Sequence, residues 1–97
     1  MPQSFPPISR NESERRFELL VDGKLSVVEY QQRDAHTLAL THTEVDPALE
    51  GHGVGSAMVK GVLDYLRENN LRLVPLCPFV RTYLQRHPDY QDLVRGS

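Results

Sequence analysis

Residues 49–58 read Leu-Glu-Gly-His-Gly-Val-Gly-Ser-Ala-Met and place three glycines at alternate positions directly before an amphipathic segment. Glycine lets the backbone approach a ligand closely because it has no Cβ. The first turn of a helix leaves N–H groups unpaired at the positive end of the helix dipole. The loop is therefore predicted to bind a phosphate or pyrophosphate, and a purely structural helix-capping turn is the alternative.

Two common phosphate-binding motifs do not fit this loop. A Walker A loop ends in Gly-Lys-Ser/Thr, whereas Gly55 is followed by Ser56 and the nearest lysine is Lys60. The dinucleotide fingerprint Gly-x-Gly-x-x-Gly, counted from Gly51, has Ser56 in place of its third glycine. That fingerprint also follows the first strand of a βαβ unit, whereas antiparallel strands are predicted before this loop.

Cys77 and His42 are of types that can perform nucleophilic chemistry. Cys77 directly precedes a predicted helix, and a helix N-terminus favours the thiolate over the thiol. His42 continues the Leu38–Leu40 face of a predicted strand, where an apolar residue is expected. If the two strands are neighbours, these side chains form a Cys–His pair typical of an activated nucleophile. The alternatives are a small buried cysteine and a hydrogen-bonded core histidine.

Composition limits the class of protein. A chain of 97 residues is predicted to form one domain, and a formal net charge of −2 with interspersed signs gives no basic surface for nucleic acid. No apolar run reaches the ~20 residues of a membrane span, and the N-terminus lacks the apolar segment of a secretion signal. The single cysteine excludes an internal disulfide and favours the cytoplasm. With 4 histidines and no paired ligand spacing, no metal is expected.

The predicted elements form an α+β domain of order β-β-β-α-β-α. Residues 17–21, 25–30 and 37–45 are predicted to form an antiparallel meander, with a tight Asp22-Gly23 turn between the first two strands. The glycine loop then begins a helix, and residues 71–76 form a fourth strand parallel to the third, because a helix connects them. A short helix follows at 78–85. Residues 1–15 are predicted to be a flexible tail, and residues 16–95 the domain.

Five segments carry a family resemblance: His42-Thr43-Glu44-Val45, residues 49–57, Cys77-Pro78-Phe79-Val80, Tyr83-Leu84 and His87-Pro88-Asp89-Tyr90. Together they resemble the GNAT acetyltransferase superfamily, in its small single-domain branch. The resemblance implies a compact mixed sheet whose third and fourth strands splay around acetyl-CoA, a co-substrate used without a metal. This chain lacks the helical segment that larger members place between their first two strands, which implies an open acceptor side. The resemblance covers roughly residues 17–94.

The resemblance also implies which residues bind acetyl-CoA. In the superfamily pattern Gln/Arg-x-x-Gly-x-Gly/Ala, Gly53 and Gly55 occupy the glycine positions and Glu50 stands where Gln or Arg is usual. A carboxylate at position 50 weakens pyrophosphate binding if it points inward. The residues implied are Thr43, Glu44 and Val45, whose strand pairs with the pantetheine arm, together with Gly51, His52, Gly53, Val54, Gly55, Ser56, Cys77 and Pro78.

The candidate catalytic residues are Cys77 and His42, from the arguments above, and Tyr83, which the resemblance adds. Cys77 either accepts the acetyl group or lines the thioester, and His42 is a candidate base. Tyr83 lies near the position of a tyrosine that protonates the leaving thiolate in larger members. The predicted function is N-acetyl transfer to a small-molecule or peptide amine, by direct attack or through Cys77, in a monomer or weak dimer. The alternative is a non-catalytic module that binds acetyl-CoA or CoA.

Overall fold

The computed structural model describes residues 5–95, which form a five-stranded mixed sheet with two helices. The strands lie side by side in chain order, with three antiparallel pairings and one parallel pairing between the last two. Two short 3-10 segments, Pro47–Leu49 and Pro88–Leu93, complete the fold. The elements are β1 (Ser9–Asn11), β2 (Arg16–Val21), β3 (Lys24–Asp34), β4 (Thr37–Glu44), α1 (Val54–Glu68), β5 (Arg72–Pro75) and α2 (Pro78–Arg86).

The predicted α+β class and the order of its main elements are confirmed. Asp22 and Gly23 have φ values of 51° and 74°, as a type I′ hairpin turn requires. β4 and β5 are parallel, as the intervening helix predicted. β3 is longer than predicted, because Gln31 and Gln32, expected in a polar turn, pair with Ala39 and Leu38 of β4.

The predicted tail over residues 1–15 is wrong for the segment that forms β1. Ser9–Asn11 pairs with the beginning of β2, and Arg10 lies over three aromatic rings. Its guanidinium carbon is 5.1 Å from the Tyr30 ring centre and 5.8 Å from that of Tyr65. The guanidinium N–H groups donate hydrogen bonds to the hydroxyls of both tyrosines. These contacts are long-range, so the polar local sequence does not reveal them. Residues 1–4 of the predicted tail lie outside the described residues.

Both helices pack on the same face of the sheet. The core joins Leu19, Val28 and Leu40 of the strands to side chains of α1 and α2 such as Met58 and Val80. Within residues 5–95, no helix covers the opposite face, which we call the open face, and Leu20 there is 59% exposed. No helix in this part of the chain has the length and apolar character needed to cross a membrane.

Candidate active site

The wedge between β4 and β5 begins at Leu40. The two strands pair from Thr37 opposite Arg72 to Leu40 opposite Pro75, and no further. The N–H groups of Leu76 and Cys77 both donate to the Leu40 carbonyl, each at 3.0 Å. Beyond this point β4 continues to Glu44 without a partner on its β5 side, so the predicted splay of the two strands is confirmed.

A β-bulge at Thr41 determines which β4 side chains face the wedge. Tyr30 pairs with Leu40 but Glu29 pairs with His42, so Thr41 is an extra residue without a cross-strand partner. One extra residue reverses the alternation of faces. Thr43, opposite the buried Val28, therefore faces the helices, and His42 faces the open side. The predicted position of His42 on the Leu38–Leu40 face is wrong for this reason.

The Cys77–His42 pair predicted from the sequence is not formed. The Cys77 thiol donates to the Thr43 hydroxyl at 3.3 Å, whereas His42 Nε2 lies 3.4 Å from Glu44 Oε1 on the open face. Cys77 is 4% exposed and caps the N-terminus of α2, where its carbonyl accepts from the Arg81 N–H at 3.0 Å. The side chain of Thr43 is thus the partner that the sequence did not indicate.

The glycine loop presents a row of backbone donors. Gly51 and Gly53 have φ values of 86° and 76°, in the left-handed region that favours glycine. Gly53 caps α1 without a side chain, and the first helical bond runs from the Ala57 N–H to its carbonyl. Among the turn and capping hydrogen bonds of residues 5–95, none is donated by the N–H groups of residues 51–56. These groups are available to an anion.

A cleft of about 350 Å³ connects this loop to the wedge. Its walls combine free N–H groups with apolar side chains, a composition that suits a phosphorylated ligand with an extended arm. Glu50 also lines the cleft, so the predicted departure from the superfamily pattern lies at the site itself. Glu44, His52 and Cys77, which were also predicted to bind the cofactor, do not line it. The predicted cofactor residues that do are Thr43, Val45, Gly51, Gly53, Val54, Gly55 and Ser56, and Leu49 and Phe79 complete the walls.

Tyr83 lies in a second cleft, of about 410 Å³, on the other side of Phe79. Its ring stacks on His87, with centroids 4.0 Å apart and an interplanar angle of 21°. Burial raises the pKa of Tyr83, so the phenol stays protonated at neutral pH. Pro78 also lines this second cleft rather than the first. Tyr83 is therefore not among the residues of the first cleft, where its predicted role places it.

The described residues contain no group of three or more His, Cys, Asp or Glu side chains that could hold a metal ion. The candidate site therefore consists of backbone donors, the Cys77–Thr43 pair and two adjoining clefts.

Comparisons with known proteins agree with this architecture. Residues 16–93 match the model of the GCN5-related N-acetyl-transferase family. The chain is 27% identical to Protein NATD1 of Xenopus tropicalis over 96 residues, covering 97% of this chain and 88% of that one. It is also 27% identical to Protein NATD1 of Homo sapiens over 90 residues, covering 91% and 80%.

A solved structure is similar as well. The NMR solution structure of a GCN5-like candidate N-acetyltransferase from Staphylococcus aureus superposes with a TM-score of 0.70 at 31% sequence identity. The match covers 98% of this chain and 93% of that chain. The chain belongs to the GCN5-related N-acetyltransferase family.

Proposed function

We propose that this protein transfers an acetyl group from acetyl-CoA to an amine. The observation that carries the proposal is the row of free N–H groups at residues 51–56, which leads into the wedge between β4 and β5. The pyrophosphate of CoA would accept hydrogen bonds from these groups at the positive end of α1. The pantetheine arm would then follow the unpaired edge of β4, past Val45 and Thr43 towards Cys77.

In the direct reaction the protein has to polarise the thioester carbonyl, protonate the departing thiolate and take up the proton of the amine. The amine nitrogen forms a bond to the thioester carbon, the carbon–sulfur bond breaks, and the proton lost by the amine balances the proton gained by the departing thiolate. A backbone N–H on the unpaired edge of β4 would polarise the carbonyl oxygen. Thr43 lines the cleft and accepts a hydrogen bond from Cys77, and this pair would supply the proton to the thiolate.

The acceptor would approach from the open face. His42 and Glu44 lie there, next to the wedge, and each is exposed. An amine attacks only as the free base, and either side chain can take up the proton of an incoming ammonium, directly or through water. His42 thus keeps its proposed role as a base, but from the side of the sheet opposite the acetyl-CoA cleft.

A second route is favoured by the position of Cys77. Its thiol lies in hydrogen-bond contact with Thr43, which lines the cleft. In this route the Cys77 sulfur attacks the thioester carbon, CoA leaves as the thiol, and the acetyl group then passes from Cys77 to the amine.

The test is an acetylation assay with acetyl-CoA, with and without a panel of polyamines and lysine peptides, read by intact-protein and product mass spectrometry. Acetylation of an amine by wild type and, at a reduced rate, by Cys77→Ala supports direct transfer, because in that route Cys77 helps only to protonate the departing thiolate. Acetyl-Cys77 in the absence of an acceptor, with turnover lost in Cys77→Ala, supports the second route. Thr43→Val, which removes the hydrogen-bond partner of the thiol, serves as the matched variant. CoA binding without acetylation of any amine would contradict the enzyme proposal and leave a CoA-binding module.

A further inference from the structure

We propose that the acceptor is a lysine of a protein segment that carries an apolar side chain two or three residues away, and that Leu20 and Leu25 bind this side chain. The inference rests on the proposed acetyl transfer and on the approach of the amine from the open face. Both leucines lie on that face, at the end of β2 and β3 where the hairpin turns.

Leu20 of β2 and Leu25 of β3 form an apolar pair. Leu20 follows the buried Leu19, and Leu25 precedes the buried Ser26, so the alternation of a strand turns both leucines away from the helices. They are directly opposite each other in the hairpin, where the Cβ atoms of such a pair lie about 4.5–5.5 Å apart. They are 59% and 41% exposed, and neither belongs to the hydrophobic core of residues 5–95. The pair therefore offers an apolar surface to a partner.

Glutamates beside this pair give the open face an excess of negative charge. Glu29 lies directly opposite His42, and Glu44 lies two residues beyond His42 along β4. Both glutamates are exposed, and neither forms a salt bridge with a lysine or arginine of residues 5–95. Arg16 lies opposite Glu29 but makes its ion pair with Glu18, at 2.7 Å. One arginine thus faces three glutamates, so this face attracts a cationic acceptor.

The register also sets the distance between the leucine pair and an amine at the wedge. Glu44 pairs with Val27, so Leu25 is its diagonal neighbour, at about 7–8 Å. Leu20 lies one strand further away, which adds about 4.8 Å. An extended peptide advances about 3.3 Å per residue, so two or three residues span this distance. A lysine whose amine reaches Glu44 therefore places a neighbouring side chain on the leucines.

This combination of groups favours a peptide over a small polyamine as the acceptor. A polyamine can bind to the two exposed glutamates, but it has no side chain that would cover the leucines. A protein segment supplies a lysine and an apolar side chain, and its backbone holds the two at a fixed spacing. The leucine pair is therefore assigned as the part of the acceptor site that selects the sequence around the lysine.

Acetylation of matched lysine peptides, measured as kcat/KM, tests the proposal. The peptides differ only in having leucine or serine at the positions two and three residues from the lysine, with separate sets for its N-terminal and C-terminal sides. Wild type should prefer the leucine peptides of one set about five- to tenfold, because a leucine side chain is partly buried. Leu20→Ser/Leu25→Ser should acetylate both kinds of peptide at the wild-type rate for the serine peptides. The matched control Gln31→Ser, which shortens another exposed side chain of β3, should keep the preference.

Equal kcat/KM of wild type for the leucine and serine peptides, or a preference kept in the double variant, would overturn the proposal while leaving acetyl transfer intact. Acetylation of polyamines but of no lysine peptide would do the same. If wild type acetylates no amine at all, the proposed function fails together with this acceptor site. A second measurement does not depend on turnover: in NMR titrations, the methyl groups of Leu20 and Leu25 should shift with a leucine peptide but not with the serine peptide or with spermidine. Shifts of equal size with all three would contradict the assignment.

Discussion

Gly55 lies against the ring of Phe79, and this contact joins the beginnings of the two helices. A Cβ at position 55 would lie 2.7 Å from Phe79 Cζ and 3.2 Å from Val45 Cγ2. The first distance is too short, so one group has to move. Phe79 is 41% exposed, and we expect its ring to turn outward in Gly55→Ala. Because Phe79 lines both clefts, this change should damage the binding site.

The expected change in stability is small. Alanine is favoured over glycine in a helix by up to about 1 kcal/mol. Complete burial of a phenylalanine contributes about 1.5–3 kcal/mol, so turning out a partly exposed ring loses roughly 1–2 kcal/mol. The two effects nearly cancel, which leaves a net loss of about 1 kcal/mol or less in the free energy of unfolding. CoA affinity, in contrast, should fall by about tenfold or more, equivalent to about 1.4 kcal/mol.

Urea denaturation and calorimetric titration with CoA measure both quantities. The matched control is Gly61→Ala in the same helix, whose Cβ would meet Ile8 Cγ2 at 3.1 Å, away from both clefts. It should bind CoA as wild type does. Phe79→Ala removes the same ring from both clefts, so the double variant Gly55→Ala/Phe79→Ala should bind CoA no more weakly than Phe79→Ala alone. Wild-type CoA affinity in Gly55→Ala would refute the reasoning, because it would show that Phe79 moves without consequence for the clefts.

Three further predictions test other parts of the molecule. Glu50→Gln should tighten CoA binding about three- to tenfold in the same titration, because it removes a carboxylate from the cleft lining. Unchanged affinity would show that this charge does not face the phosphates. Arg10→Lys should lower the free energy of unfolding by about 1–2 kcal/mol in urea, because an ammonium lacks the planar fork that covers three rings, and a loss below about 0.3 kcal/mol would contradict this. Burial alone would raise the pKa of Asp64, but hydrogen bonds from Lys60 and Tyr90 lower it overall. The ionised Asp64 therefore stabilises the folded state above the unfolded-state pKa of about 3.9, and this stabilisation is lost as the pH falls through the folded-state value. Asp64→Asn should then lose less stability than wild type below about pH 4. An acid-unfolding curve identical to that of wild type would contradict the assignment.

The glycine loop could be predicted because its signals are local. Alternate glycines and the apolar spacing that follows specify a turn and a helix start within a few residues. The left-handed φ values of Gly51 and Gly53 are consistent with this local origin. The parallel pairing of β4 with β5 was also predictable, since it follows from the connecting helix.

The bulge at Thr41 could not be predicted, and it determines which side chains of β4 face the helices and the cleft. Alternation along a strand assumes that each residue has one partner, and one extra residue exchanges the two faces. Nothing in the types of Thr41 and its neighbours marks the extra position. The consequence is that Thr43, rather than His42, contacts Cys77.

The strand β1 was missed for a different reason. Its three residues are polar, and its order comes from Arg10 contacting Phe17, Tyr30 and Tyr65, which lie 7 to 55 positions away along the chain. Such contacts exist only once the sheet and α1 have formed. Local composition therefore indicated a tail where the fold provides a binding surface for the arginine.

The most direct test of acetyl-CoA binding is the melting temperature with and without saturating acetyl-CoA, with desulfo-CoA and ADP as controls. A ligand at about 100 times its Kd stabilises the folded state by about 2.7 kcal/mol. For a domain of this size each kcal/mol raises the melting temperature by roughly 4–8 °C. We predict a shift of roughly 10–20 °C with both CoA ligands and a much smaller one with ADP. No shift with acetyl-CoA at millimolar concentration would contradict the proposal that the glycine loop and the wedge bind this co-substrate.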